Sequence, residues 1–254
     1  MPEPASIALL GMGSVGLAVR FARVQYHRAK DVLDRVAGAM LMIVSAPVMA
    51  FCAAAVKLTS RGPALYRQAR VGLNGREFML YKLRTMYQDA EAHSGPVWAC
   101  GKADPRVTPV GRLLRRTHLD ELPQLFNVIK GEMSLIGPRP ERPHFVAQFR
   151  EEIPEYDKRL SVKPGITGLA QVRAGYDRTL RDVRRKVKLD LMYIRRMCWW
   201  VDFLIFFGTF GRIFRGGTER RGGPDTRDLT EEVEVTDERA SGDSAFRRIE
   251  RREA

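Results

Sequence analysis

The chain has 254 residues and a mass of 28.8 kDa, enough for one domain of ordinary size with appendages. Its three cysteines, Cys52, Cys100 and Cys198, are far apart and show no metal-ligand spacing, which argues for reduced thiols and against a disulfide framework. The net charge is +13, and because residues 216–254 hold 11 acids against 8 arginines, residues 1–215 carry +16; the partner should be anionic, whether phospholipid headgroups, nucleotide phosphates or nucleic acid.

The first 29 residues form a leader in which Gly11, Gly13 and Gly16 follow the Gly-x-Gly-x-x-Gly order of a dinucleotide-binding turn. The apolar segment that follows leaves little room for the second strand such a turn needs, so a glycine-rich interfacial or disordered leader is the expectation. No basic n-region or cleavage site marks a signal peptide.

Residues 36–56 are 21 positions without a charge, long enough to cross a bilayer as a helix. Pro47 lies within the run, near Ser45, whose hydroxyl can bond backbone groups that a proline frees, so a break is expected there. Basic residues flank both ends, Arg20, Arg23, Arg28, Lys30 and Arg35 before and Lys57, Arg61, Arg67 and Arg70 after. Both ends therefore prefer the cytoplasmic side. A re-entrant helix-break-helix at residues 30–58, entering and leaving by one leaflet, meets both conditions; a kinked spanning helix is the alternative.

The period then changes. Ala64–Gln68 and Glu77–Arg84 read as two strands joined through Asn74-Gly75, a strong hairpin dipeptide. Arg67, Arg70, Lys82 and Arg84 stud this hairpin; solvated charge is the default reading of any one of them, and together they suit headgroups or a nucleotide. Residues 85–109 are polar and rich in breakers, and Val110–Leu119 is a basic amphipathic helix.

Residues 117–140 hold the densest pattern. Leu122, Leu125, Phe126 and Ile129 mark one helical face, Pro123 fits only a first turn, and Gly131 stops the helix. Asp120 and Glu121 thus fall at or just before a helix N-terminus. Read alone, they are an N-cap and a first-turn acid. A few residues on, Pro138 and Pro140 bracket Arg139, a planar donor suited to phosphate oxygens. An acidic pair facing a rigidly held arginine suits phosphoryl chemistry: one carboxylate attacks phosphorus while the other holds a divalent cation.

Beyond this block, Phe145–Leu160 reads as a helix interrupted at Pro154, and Lys163-Pro164-Gly165-Ile166-Thr167-Gly168 as a rigid glycine loop that is either a surface turn or a ligand rim. Residues 179–196 form a basic helix. Trp200, Phe203, Phe207, Phe210 and Phe214 recur at three- and four-residue steps over 197–215, which with Trp199 suits a helix lying in the membrane interface. From Gly216 the tail is acid- and arginine-rich with few apolar residues, the composition of disorder.

His118-Leu-Asp-Glu-Leu-Pro-Gln-Leu-Phe-Asn-Val-Ile-Lys-Gly-Glu-Met-Ser-Leu-Ile-Gly-Pro-Arg-Pro-Glu-Arg-Pro143 resembles the signature of the bacterial sugar transferases known as monotopic phosphoglycosyl transferases. The resemblance extends over about residues 30–215. It implies that Asp120 is a nucleophile, Glu121 a ligand of Mg²⁺, and Arg139 and Arg142 phosphate contacts, with Lys82, Arg84 and Lys163 further substrate-binding candidates. Asp104, Arg106 and Thr108 match a positioning segment of the family. Lys30 and Asp34 match its anchoring segment ahead of the membrane helix, with Ser45 and Pro47 at the break. Asp31 stands where the family often has a basic residue, and Ala46 separates a serine and proline that are often adjacent.

The expected fold is α+β and mostly helical: a monotopic membrane protein with a re-entrant helix, a small β-hairpin, a catalytic domain over 59–196 and interfacial amphipathic helices. The expected activity is transfer of a sugar-1-phosphate from a nucleotide diphosphate sugar, a UDP-sugar above all, to undecaprenyl phosphate or a related polyprenyl phosphate. Membrane lipid is an expected partner and nucleic acid is not. The expected place is the bacterial inner membrane, with the catalytic domain facing the cytoplasm. The competing reading is a non-enzymatic basic protein on a membrane face, which leaves Asp120, Glu121 and Arg139 without purpose. A conventional metal-dependent glycosyltransferase lacks its Asp-x-Asp motif anywhere before the tail. No residue names the sugar.

Overall fold

The structure, a computed structural model, describes residues 4–90, 104–174 and 179–214, with side chains described over 24–90, 104–174 and 179–212. The acid- and arginine-rich tail lies outside the described residues.

Helix α1 runs from Pro4 to Thr59. The leader glycines fall inside it and not at a strand-to-helix turn, so they do not form a dinucleotide-binding turn. The helix also continues through Pro47, where a break was expected. Ser45 Oγ donates to the carbonyls of Leu41 (2.6 Å) and Met42 (3.4 Å), one turn back along its own helix, and not to that of Ile43, which Pro47 leaves without an amide. A proline in a helix facing little but its surroundings costs one hydrogen bond and need not end the helix.

One stripe of α1 meets the rest of the protein. Lys30, Asp34, Gly38, Cys52 and Val56 are buried, and Met42, Ser45 and Met49 between them are half-buried, at steps of three and four. The other faces are bare: Ile43, Val44 and Phe51 are 75%, 76% and 76% exposed. Val24–Thr59 is long and apolar enough to cross a membrane.

Strands β1 (Leu65–Val71) and β2 (Glu77–Leu83) form the expected hairpin, antiparallel from Leu65 opposite Leu83 to Val71 opposite Glu77. Asn74 (φ 54°) and Gly75 (φ 78°) take left-handed conformations in its turn, the geometry their short or absent side chains tolerate. Helix α2 (Pro109–Thr117) is capped by Thr108, whose Oγ1 accepts the Gly111 amide at 2.9 Å. A single 3₁₀ turn, Leu119–Glu121, leads to Pro123 and helix α3 (Gln124–Lys130), which Gly131 ends at φ 79°.

Strand β3 (Ser134–Ile136) pairs in parallel with β4 (Gly165–Thr167). Here the backbones nearly touch: a Cβ on Gly165 would lie 2.1 Å from the Gly137 nitrogen. Helix α4 (Pro143–Glu152), a 3₁₀ segment (Tyr156–Ser161), α5 (Leu169–Arg173), α6 (Leu180–Arg196) and α7 (Trp199–Phe214) complete the chain. The main core joins Val146, Phe149, Tyr156, Val187, Leu191 and Ile205 from these elements. A second core, Cys52, Val56, Leu83 and Leu114, binds the end of α1 to the hairpin and α2.

At the other end of the stripe the ties are polar. Lys30 Nζ lies 2.7 Å from Asp202 Oδ2 of α7, which also accepts from Tyr26 (2.7 Å), and Tyr193 donates to Asp202 Oδ1 at 2.8 Å. Ser134 donates to Asp34 at 2.5 Å. Lys30 and Asp34, expected to anchor the membrane segment, thus bind α1 to the protein's own body.

Candidate active site

The 3₁₀ turn puts Asp120 and Glu121 side by side, and neither is a helix cap: α3 is preceded by Pro123, with no side chain bonded to its first amides. The ordinary reading of this pair is therefore set aside. The two carboxylates then meet opposite environments.

Glu121 is held by two cations from different elements. Lys82 Nζ of β2 and Arg139 Nη2 each lie 2.8 Å from its Oε1. Burial alone would raise its pKa, but Arg139 and Lys82 outweigh that and hold it far below the usual carboxylate range. Burial lowers the pKa of Lys82, with Glu121 opposing, and the Glu121 charge raises that of Arg139.

Asp120 is buried, 7% exposed, and none of the described residues donates a hydrogen bond to its carboxylate. Desolvation raises its pKa, and Lys82, Arg115 and Arg139 offset this only in part while Glu121 adds to it. One carboxylate is ion-paired through Oε1 and ionised, and its neighbour is desolvated with no hydrogen bond from the described residues, the separation of roles that acid pairs in enzymes show. A desolvated carboxylate without hydrogen bonds is a strong nucleophile once ionised.

Arg115 was not singled out from the sequence. It ends α2, its Nε donates to Thr85 Oγ1 at 2.8 Å, and its charge acts on Asp120. The Asp104–Thr108 segment supports this arm: the Thr108 amide donates to the Thr85 carbonyl at 3.0 Å. Asp104 is clamped by Arg106 at 2.9 and 2.7 Å, which brings its pKa down to about 2. The only sequence signal for Arg115 was its place in the last turn of a basic helix five residues before Asp120.

The other candidates divide. Arg142 precedes α4 with its guanidinium 5.8 Å from the Phe145 ring centroid, and its charge, like that of Arg139, acts on Arg70. Arg84 is buried and donates to the Ser60 carbonyl (3.0 Å) and hydroxyl (2.8 Å), so it secures the exit of α1 and does not join the acids. Lys163 pairs with Asp31 of α1. Both were expected to bind substrate; both have structural partners that lie far away in sequence.

A cation site fits these residues in one way. Lys82 and Arg139 both occupy Oε1 of Glu121, which leaves Oε2 for a metal, and the described residues contain no cluster of three acids, histidines or cysteines. Mg²⁺ is commonly held by one or two carboxylates with substrate phosphates supplying the rest.

The site thus sets a buried acidic pair and two cations in the same body as a helix long and apolar enough to cross a membrane. The chain belongs to the bacterial sugar transferase family, whose profile matches residues 25–216. Over 191 residues, 75% of this chain, it is 44% identical to the UDP-N-acetylgalactosamine-undecaprenyl-phosphate N-acetylgalactosaminephosphotransferase of Aeromonas hydrophila, of which that stretch is 45%. Over 190 residues, 74% of this chain and 70% of the relative, it is 45% identical to the UDP-glucose:undecaprenyl-phosphate glucose-1-phosphate transferase of Caulobacter vibrioides. The protein of that same name from Escherichia coli K12 is 41% identical over 74% of this chain and 39% of its own length. The chain thus spans less than half the length of two of these relatives.

Proposed function

We propose that this protein is an enzyme that transfers a sugar-1-phosphate from a UDP-sugar to undecaprenyl phosphate, initiating exopolysaccharide or related glycan synthesis. The observation that carries the reading is the contrast between Asp120, buried with no hydrogen bond from the described residues, and Glu121, fixed by Lys82 and Arg139.

In the first half-reaction an Asp120 oxygen attacks the β-phosphorus. The bond from that phosphorus to the bridging oxygen breaks, and UMP leaves with the electron pair. A phosphosugar-aspartyl anhydride remains. In the second half, a phosphate oxygen of the polyprenyl phosphate attacks the same phosphorus and Asp120 departs as carboxylate, giving the polyprenyl-diphosphate sugar. One carboxylate used twice lets a water-soluble donor and a lipid acceptor take turns, with ping-pong kinetics. In this reading Arg139 holds the diphosphate oxygens; its support is its pairing with Glu121 and its charge, with that of Arg115, acting on Asp120. Mg²⁺, held by Glu121 Oε2, would neutralise the same diphosphate.

The membrane attachment we infer is monotopic, on the cytoplasmic face of the inner membrane. Its support is the stripe of α1: Lys30 and Asp34 near the start of the apolar run and Cys52 and Val56 near its end are all buried against one body. A helix crossing a hydrocarbon core of roughly 30 Å would carry these contacts to opposite faces. The basic flanks of α1 and the exposed Trp199, Trp200, Phe203 and Phe207 of α7 suit an anionic headgroup plane. A groove of about 470 Å³ opens between α1 (Met42, Met49, Ala53), the hairpin (Leu65, Tyr81) and Phe126 of α3, and supplies an apolar path for a prenyl chain.

Assaying UMP release with undecaprenyl phosphate across UDP-glucose, UDP-galactose and their N-acetyl counterparts tests the reading. Release with one of them, dependent on Asp120, is expected. No release with any, under conditions where the relatives turn over, would remove the proposal.

A further inference from the structure

The prolines on either side of Arg139 have no amide hydrogen to give, so the loop is fixed through its carbonyls. The Pro138 carbonyl accepts from the Gly165 amide at 2.9 Å, that of Arg139 from Arg159 Nη2 at 2.9 Å, and that of Pro140 from Arg70 Nη1 at 3.0 Å. The middle donor is unusual. Arg159 is 5% exposed, and every nitrogen of its guanidinium is engaged: Nε with Asp190 Oδ2 (2.9 Å), Nη1 with the Tyr156 hydroxyl (2.9 Å), and Nη2 with Asp190 (2.7 Å) as well as the Arg139 carbonyl.

Asp190 is 2% exposed and Tyr156 fully buried. No nitrogen is left over for substrate. Burying such an ion pair costs desolvation that an apolar pair of the same shape avoids, so its contribution to stability alone is a poor reason for its place. What Met and Leu cannot do there is hold a backbone carbonyl. The void that Arg159 and Tyr156 line with the Arg139 loop measures only about 10 Å³, room for no more than a water, so the loop has little slack while the contact is made.

We propose that Arg159, oriented by Asp190 and Tyr156, is a positioning residue that sets the Arg139 backbone so that its guanidinium meets Glu121 and the donor diphosphate. This rests on the reading of Arg139 as the diphosphate contact. Arg159 touches no reacting atom; it acts through Arg139.

The test is a mutant cycle in the full-length protein, reading kcat/KM for the UDP-sugar. R159M/D190L removes the buried charges together and so avoids an orphaned ion. It should keep a cooperative melting transition, lose roughly 10- to 100-fold in kcat/KM, and expose the Gly165 amide to faster hydrogen exchange. Placed on R139A, it should cause no further loss, because the residue it positions is gone; a merely structural role would add its full loss again. Undiminished kcat/KM in R159M/D190L, or an equal further loss on R139A, overturns the proposal. If R159M/D190L does not fold, R159K keeps the charge opposite Asp190 and is read in the same cycle. Should the wild type itself release no UMP, the functional reading fails, and unchanged Gly165 exchange would be what refutes the positioning contact.

Discussion

Lys82 Nζ and Glu121 Oε1 stand 2.8 Å apart although 39 residues separate them, with β2 supplying one and a single 3₁₀ turn the other. Both side chains are mostly shielded, 17% and 12% exposed, so the pair is worth more than a surface salt bridge. It gives Glu121 a fixed charge and places Lys82 beside Asp120. K82M should leave Glu121 with Arg139 alone. We expect a fall in kcat/KM of about 10²-fold and a loss of roughly 1–3 kcal/mol in stability, measured by UMP release and by denaturant unfolding. Wild-type activity in K82M would show that the lysine serves packing only.

The pH profile should be a narrow bell. Desolvation raises the pKa of Asp120, so the acid limb, where the nucleophile becomes protonated, should lie above the range of an ordinary aspartate. Desolvation lowers that of Lys82, so the alkaline limb should lie below the usual lysine value of 10.5. D120N should flatten the profile by abolishing transfer while leaving membrane association intact.

The same aspartate gives a stability prediction of opposite sense to its catalytic one. A carboxyl whose folded pKa exceeds its unfolded value binds protons more readily when folded, so its ionisation costs stability as pH rises through that window. D120N removes the cost. It should melt above the wild type at neutral pH, and the difference should vanish below the unfolded carboxylate range. Glu121 has the reverse sign: its contribution is full above the ordinary range and lost as pH falls through its depressed folded value, so E121Q should destabilise at neutral pH.

Much of this was legible in the chain. Asn74-Gly75 specified the hairpin, and the basic amphipathic pattern expected over Val110–Leu119 is α2, which begins one residue earlier at Pro109 and ends at Thr117. Pro123 and Gly131 bounded α3, so the placement of Asp120 and Glu121 followed from local rules. What escaped was set by distant partners. Lys163 and Arg84 look like substrate-binding cations until Asp31, 132 residues away, and Ser60, 24 away, are found beside them. Arg159 carries no motif, and its meaning lies in Asp190 and the Arg139 carbonyl. The run through Pro47 failed for a different reason: a single proline signals a break only where the freed carbonyl has no other way to be tolerated. The three-residue strands β3 and β4 pair in parallel with too few residues to show a period.

The Lys30–Asp202 pair should dominate the docking of α1. Its side chains are 7% and 8% exposed, and removing one partner strands a buried charge at a cost of about 3–5 kcal/mol. K30M should therefore lower the melting temperature sharply in detergent. K30M/D202N, which removes both charges and keeps an amide oxygen for one of Tyr26 and Tyr193, should regain part of the loss, with Asp34, 3.5 Å from Lys30, still deprived of its cation. Equal melting of K30M and the wild type would show that apolar contacts at Cys52 and Val56 hold the helix by themselves.

Divalent-cation dependence should follow Glu121. Chelation with EDTA is expected to stop UMP release and added Mg²⁺ to restore it in the wild type, whereas E121Q should need a higher Mg²⁺ concentration or fail to respond. Turnover that survives chelation would remove the metal from the account.

The most direct measurement is a trapping experiment without acceptor: the protein is mixed with UDP-sugar labelled in the β-phosphate, quenched, and the label located. The account predicts one label per active chain on Asp120, UMP released in equal amount, and transfer of that label to undecaprenyl phosphate when the lipid is added. Label absent from the protein while product still forms with lipid present, or label on a residue other than Asp120, would contradict it.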